Sequence, residues 1–431
     1  MIVNFSVRNF GPLKEKQTLS FEADKSHHLE EHYIIQTKSN KRLLKLGLIY
    51  GANASGKTNV LKAIDFLRDI ILEPEEKKNV SLDFHPFLFD EVSSENSSSF
   101  SMEFIQNNRR YLYQLELNQK SILNEELYHF NPTKANIFKR ITHVEKQFTE
   151  IKFGSKFSID KSFKKTLESN TLWNNTVLGG YLKTNIEIAE LKEVVDWFGE
   201  YLAPIVLSNT QLEGFITAKI RTDSLNKENI LNILKKADFN ISDITISEKR
   251  NEFDSKMLKI FEALDLPDDK IEEIKEHPLM KLEFEHKIGD SRYSLPFEQE
   301  SQGTRRYYGF AGLLAMLIKG SMAIPVDELE SSLHPELFNH FLLSFLMNSK
   351  TSQLIATTHN REILNNRDIF RDDVIWFTNK NEESATELYS LADFDTSVIR
   401  DTSNVFNAYK IGKLGGVPNL GDYFIDLQDE E

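Results

Sequence analysis

The stretch Gly51-Ala52-Asn53-Ala54-Ser55-Gly56-Lys57-Thr58 matches the pattern G-x-x-x-x-G-K-[ST] in full. Residues of these types at this spacing are suited to holding phosphates. The glycines let backbone N–H groups curl around the anion, and a helix starting at Thr58 turns its positive dipole end toward it. Lys57 can reach the outer phosphates, and the Thr58 hydroxyl is a ligand of the type Mg²⁺ takes. The context this chemistry needs is also present, with an apolar strand before the loop and a helix after it.

Two further groups fit the same chemistry. Ala323-Ile324-Pro325-Val326-Asp327-Glu328 reads as an apolar strand ending in two carboxylates. Taken alone, such a pair is a solvated loop. With a phosphate-binding loop upstream, Asp327 becomes a candidate for the Mg²⁺ shell, and Glu328 for the base that orients or deprotonates a water attacking the terminal phosphate. Leu354-Ile355-Ala356-Thr357-Thr358-His359 is another buried strand, and it delivers His359 to the same strand end as a polar contact to that phosphate. Ser301-Gln302-Gly303-Thr304 reads as a second phosphate-ready helix start, with Ser301 in the N-cap position and Gly303 permitting close approach. One chain with a complete loop at Gly51 has no need of a second cradle, so this turn is expected to serve the nucleotide of another subunit; the alternative is a capped helix and nothing more.

The elements that must position these residues alternate in kind. Leu46 to Tyr50 reads as a buried strand, Thr58 to Ile71 as a helix, Ala323 to Val326 as a strand, Pro335 to Met347 as a helix, and Gln353 to Thr357 and Asp373 to Phe377 as strands. That alternation predicts an α/β core with a parallel sheet. Residues 84–153 and the N-terminal segment, with Ile2, Phe5 and Val7, read as strands, and Ser93 to Ser99 as a polar surface loop. Residues 160–280 read as helical and charge-rich, for example Ile186 to Phe198 and Asn226 to Ala237, with Pro204, Pro267 and Pro278 as breaks. The expected division is 1–155 as the first half of the core, 156–281 as a helical insertion, and 282–431 as the second half.

Composition narrows the classes. The 431 residues are 40% hydrophobic and 27% charged, enough for a real core and for two or three domains of roughly 150 residues each. No apolar run approaches the ~18 residues of a membrane span, and the start resembles no signal peptide, so a cytoplasmic protein with no membrane partner is expected. The absence of cysteine rules out disulfides, thiolate zinc sites and cysteine nucleophiles. A formal net charge of −14 opposes nucleic-acid binding over the whole surface while leaving room for a local basic stripe.

Together these residues resemble the ABC-type ATPase heads of the SMC, Rad50 and RecF group, in the compact form with a short helical insertion. Val3 to Leu13 looks like the family's opening strand with its Asn-Phe-Gly turn. Gly51 to Asn59 looks like its P-loop, Ser301 to Thr304 like its signature motif, and Asp327-Glu328 like its Walker B pair. Ser331-Ser332-Leu333-His334-Pro335 looks like its D-loop, and His359 like its switch histidine. The likeness covers roughly residues 1–120 and 282–380.

The resemblance implies an α/β head in which a mixed P-loop sheet is joined by an antiparallel β lobe and split by the insertion. It implies ATP and Mg²⁺ as ligands. Nucleotide contacts would come from Gly51, Asn53, Ser55, Gly56, Lys57, Thr58 and Asn59, and from Ser301, Gln302 and Gly303 in trans. The metal would be held by Thr58 and Asp327, with Glu328 and His359 catalytic. The signature departs from Leu-Ser-Gly-Gly, with Glu300 in place of leucine and Gln302 in place of glycine. Gln106 and Gln114 are both candidates for the Q-loop glutamine.

The signature, the Leu-His-Pro of the D-loop and the closing Tyr409 to Pro418 resemble an AAA-annotated subgroup from bacterial abortive-infection and anti-phage defence operons. For that subgroup the resemblance implies an ATP-dependent homodimer, assemblies beyond it, and control of a separately encoded effector such as a Toprim-type nuclease, with DNA or a phage component as trigger. The alternative is a RecF-like repair ATPase that clamps DNA. Asp393-Phe394-Asp395 could suggest a nuclease centre within the chain, but too few residues follow His359 for another domain of the usual ~100 residues, and the aspartates read as a turn.

Overall fold

The apolar run Leu46–Gly51 forms the centre of a five-stranded sheet in the order Ala323–Val326, Gln353–Thr357, Leu46–Gly51, Ile375–Lys380, Thr386–Ser390. The first four strands are parallel and the last pairs antiparallel. Such strands are covered on both faces, so they read as unbroken apolar runs, and Leu46, Leu48, Ile49 and Tyr50 are all fully buried. The helix Lys57–Leu72 follows directly and buries Val60, Leu61, Ile64 and Leu67, each worth about 1.5–3 kcal/mol relative to exposure. Pairing of Leu354 with Leu46 and of Trp376 with Ile49 brings the carboxyl ends of these strands to one edge. In open α/β sheets that edge is where ligands bind. The computed structural model describes residues 1–157, 159–249, 279–366, 368–394 and 405–418.

A second sheet is wholly antiparallel, in the order Phe148–Phe153, Thr133–His143, Ile122–Asn131, Arg109–Leu117, Ser98–Gln106, Ile2–Arg8, Gln17–Ser20. The mixed sheet and the antiparallel lobe give the α/β class expected from the sequence. Gln353 stitches the two sheets. Its buried side chain accepts from Ile2 N–H at 2.6 Å and donates to the carbonyls of Ile2 and Leu44, both at 3.0 Å.

Ser93 to Ser99 is not the free loop its composition suggests. Glu91–Glu95 is a short helix, and Ser98 begins a strand and is fully buried. The Asn9 amide donates to the carbonyls of Ser93, Asn96 and Ser97, a long-range clamp that local polarity cannot reveal.

The chain separates into two compact units: Met1–Ser208 with Gly320–Ser331 and Leu346–Glu431, and Asn209–Lys319 with Ser332–Phe345. These boundaries differ from the division at 155/156 and 281/282. Residues 156–208 belong to the first unit because buried polar contacts fasten them there. Arg140 donates to the carbonyls of Asn175 and Trp173, and Glu125, 3.6 Å from Arg140, accepts from Val177 N–H. Neither side chain is exposed, and the hydrogen bonds these two groups make offset part of the cost of burying both charges.

The second unit contains a three-stranded antiparallel sheet, Ile241–Lys249, Leu279–Ile288 and Ser291–Pro296, with the helices Leu212–Arg221, Lys227–Lys236 and Gln302–Lys319. Its core includes Ile216, Ile230, Leu234, Phe284, Tyr307 and Tyr308. The strand Ile241–Lys249 corrects the helical reading of this stretch; Pro267, Pro278 and the acidic ending Asp429-Glu430-Glu431 lie outside the described residues. Among the described residues no helix is long and apolar enough to cross a membrane.

Candidate functional site

The loop between the Leu46–Gly51 strand and its helix is held in a shape few residues adopt. Ala54 and Gly56 have φ of 61° and 102°, in the left-handed region. A Cβ on Gly51 would fall 2.3 Å from Thr378 Oγ1, and one on Gly56 2.2 Å from Thr386 Oγ1. Two threonines from neighbouring strands therefore grip the loop. Ser55 Oγ and Thr378 Oγ1 share a hydrogen bond at 2.6 Å, and Thr386 Oγ1 donates to Ser55 O at 2.8 Å. No side chain caps the helix that Gly56 opens, so its first amides remain available to an anion.

Lys57 is buried, and its ammonium donates to Gly51 O at 2.9 Å and Ala52 O at 3.0 Å. Burial pulls its pKa below the usual lysine range, and the carboxylates of Asp327, Glu328 and Glu330 oppose the shift. Thr58 Oγ1 donates to the Asp327 carboxylate at 3.0 and 3.2 Å, and Thr357 Oγ1 donates to the same carboxylate at 2.6 Å. Thr357 in turn accepts Glu328 N–H at 2.8 Å, fixing Glu328, whose φ is 48°. A hydroxyl beside a carboxylate is a hard oxygen set of the kind that suits Mg²⁺.

Gly51, Ala52, Asn53, Glu328, His359 and Arg361 line one cavity of about 480 Å³, completed by Tyr409 and Pro418. His359 keeps an open face to solvent, yet desolvation of the ring and then the Lys57 charge hold its pKa below the ordinary histidine value, against Glu330 and Glu328. The His359 backbone N–H donates to Glu330. Asn59 is not among the residues lining this cavity, and its Oδ1 lies 3.3 Å from where a Cβ on Gly11 would be. Neither Gln106 nor Gln114 is among its lining residues.

Ser301, Gln302 and Gly303 belong to the second unit. Ser301 caps the helix Gln302–Lys319, its Oγ accepting Thr304 N–H at 3.0 Å, and both Ser301 and Gln302 are exposed. Glu300 has a local partner, His286 Nε2 at 2.6 Å, which accounts for a carboxylate at a position expected to be leucine.

Several residues at the site were not legible in advance. Thr378, Thr386 and Glu330 act through contacts far apart in sequence. Thr357 could have been found as a hydroxyl at the end of a buried strand. The glycine-rich tail belongs here too. Tyr409 is stacked on Phe377 and donates to Gly416 O at 2.9 Å, and a Cβ on Gly416 would lie 3.4 Å from Gly51 Cα. Asp393 accepts Ser390 N–H in a capped turn, as the turn reading expects, while Asp395 lies outside the described residues.

Among solved structures, the chain is similar to an SMC head bound to the C-winged helix domain of ScpA, at 12% identity, covering 90% of this chain and 97% of that one with a TM-score of 0.47. It is also similar to the SMC head domain from Thermotoga maritima, at 13% identity, 90% and 98% coverage and a TM-score of 0.41. A third likeness is to the Pyrococcus furiosus Smc head with an extended coiled coil bound to the C-terminal domain of ScpA, at 12% identity, 96% and 98% coverage and a TM-score of 0.39. No curated protein matches. Residues 48–365, most of the chain and the stretches from Gly51 to His359 that carry the candidate site, match the family described as AAA domain, putative AbiEii toxin, type IV toxin–antitoxin system, and the chain belongs to that family.

Proposed function

We propose that this AAA-domain protein binds ATP with Mg²⁺ at Gly51–Thr58 and hydrolyses it when two chains close on the nucleotide, each lending Ser301, Gln302 and Gly303 to the other. The cycle would control a separately encoded effector, a Toprim-type nuclease, in anti-phage defence, with DNA or a phage component as trigger. The observation that carries the reading is the convergence of Thr58, Asp327, Glu328 and His359 at the edge where Lys57 stands. The family's description as a putative toxin of a toxin–antitoxin system supports the defence setting.

Each residue has a defined task. Lys57 exchanges its two loop carbonyls for phosphate oxygens. Thr58 and Asp327 would hold Mg²⁺, which when bound neutralises charge on the phosphates. Glu328 takes the proton from the attacking water, and the neutral His359 imidazole holds the terminal phosphate by a hydrogen bond. Asn53 and Ser55 shape the loop around the phosphates, and Asn59 supports it.

The test is Glu328→Gln. ATP binding should stay within about twofold of the parent, while turnover falls by about a hundredfold or more, in line with loss of a general base. ATP-bound dimers should then accumulate in sedimentation. A variant that hydrolyses ATP at the parental rate would remove Glu328 as the base. Strong stimulation of the parent by duplex DNA would move the reading toward a RecF-like DNA clamp.

A further inference from the structure

Arg361 has no role in the reading above, yet it lies in the same cavity. It leaves the Gln353–Thr357 strand two residues after His359 and lines the pocket with Gly51, Ala52, Asn53 and Glu328. Its side chain is exposed, and among the described residues its guanidinium has no ion pair; its neighbour is the Tyr409 ring, at 5.7 Å. That ring is fixed. Tyr409 is buried, stacks on Phe377 at 5.4 Å and is hydrogen-bonded to Gly416, which packs against Gly51. The loop carrying Arg361 is fixed as well, since Asn360 N–H donates to Thr358 Oγ1 and Glu362 N–H to Asn360 Oδ1, both at 3.0 Å.

A planar guanidinium held beside the reacting end of a phosphate cradle suits bidentate recognition of phosphate oxygens. The loop carbonyls holding Lys57 mark the cradle, and Glu328 and His359 mark the end at which the outermost phosphate reacts. We propose that Arg361 is a specificity-determining residue that reads the outermost phosphate and so separates ATP from ADP. The proposal rests on the nucleotide reading of this cavity. The rival role is purely structural, with Arg361 propping Tyr409 and the glycine-rich turn behind the loop.

Calorimetric titration of the parent, Arg361→Ala and Arg361→Lys with Mg²⁺-ADP and with the non-hydrolysable Mg²⁺-AMP-PNP decides between them. Arg361→Ala should weaken AMP-PNP by about tenfold or more and leave ADP within about twofold, the loss expected for one charge-assisted contact. Arg361→Lys should recover part of the loss, because it restores the charge without the fork. An equal change for both nucleotides, or none for either, overturns the proposal in favour of the structural role. A parent that binds neither nucleotide overturns the underlying reading, and the parental titration separates that result from a failure at Arg361 alone.

Discussion

Two glycine-bearing turns open helices in this chain, and they treat the helix start in opposite ways. At Gly51–Thr58 the backbone enters the left-handed region at Ala54 and Gly56, no side chain caps the helix, and a Cβ on either glycine would collide with a threonine. At Ser301–Thr304 the serine caps its helix, Gly303 lies inside it, and a Cβ there would come no closer than 3.3 Å to Ser332 O. The glycines of the first turn are demanded by the chain's own packing. Gly303 is less strictly demanded, since such a Cβ would meet only one close contact, so under the proposed dimer its smallness would matter chiefly against a second chain's nucleotide.

The largest effect should come from making the two turns exchange properties. Gly56→Ala meets both the left-handed φ and the Thr386 side chain, so it should cost about 1–3 kcal/mol of stability and abolish nucleotide binding at micromolar ligand. Gly303→Ala should change stability by no more than about 1 kcal/mol, since better helix propensity offsets a slightly tight contact. Parallel thermal melts and nucleotide titrations measure both. Equal losses in the two variants would break the distinction between a glycine required within the chain and one required outside it.

A negative charge at the second turn sharpens the same contrast with a smaller effect on the monomer. Gly303→Asp and Ser301→Asp should bind ATP and ADP like the parent through Lys57, yet fail to dimerise with ATP. Ser301→Asp is the more informative, because aspartate is as good an N-cap as serine; Ser301→Ala should lose about 1 kcal/mol of stability instead. Analytical ultracentrifugation with and without ATP reads the outcome. ATP-dependent dimers at parental strength in both aspartate variants would leave the turn as a capped helix and nothing more.

What could be read in advance follows from how local each feature is. The buried strand at Leu46, the phosphate loop and the strand ending in Asp327-Glu328 are written in contiguous residues, and the helix from Lys57 shows its apolar face at regular spacing. Thr386 on Ser55, Gly416 on Gly51 and Asn9 on Ser93 join residues far apart in sequence, and neither composition nor period encodes such contacts. The strand Ile241–Lys249 is a different case. Asp243-Ile244-Thr245-Ile246-Ser247 alternates with the period of a strand, a signal present but outweighed by the charged, helix-like surroundings. Glu300 was visible as a departure from the signature pattern, but its partner His286 sits on the strand Leu279–Ile288 and was not.

The smallest expected effect concerns charge, which also separates the two turns. The P-loop cavity places His359 near the cations of Lys57 and Arg361, and its pKa lies below the ordinary value of about 6.5, through desolvation first and the Lys57 charge next. In the unfolded chain the imidazole takes up its proton near that ordinary value, whereas in the folded cavity it resists protonation until the pH is lower. Acidification therefore favours the unfolded state. The stability linked to His359 is fully present above about pH 6.5 and declines as the pH falls below it, levelling off once the folded imidazole also protonates. Because the ring keeps an open face to water, the effect should be modest, under about 2 °C in Tm between about pH 7.5 and pH 5. In nucleotide-free protein, His359→Gln should flatten the acid side of the Tm profile relative to the parent. A steeper acid decline in the variant would mean that Glu330 and Glu328, rather than Lys57 and desolvation, dominate the field at His359. The cavity would then be a net acidic site, poorly matched to a polyphosphate.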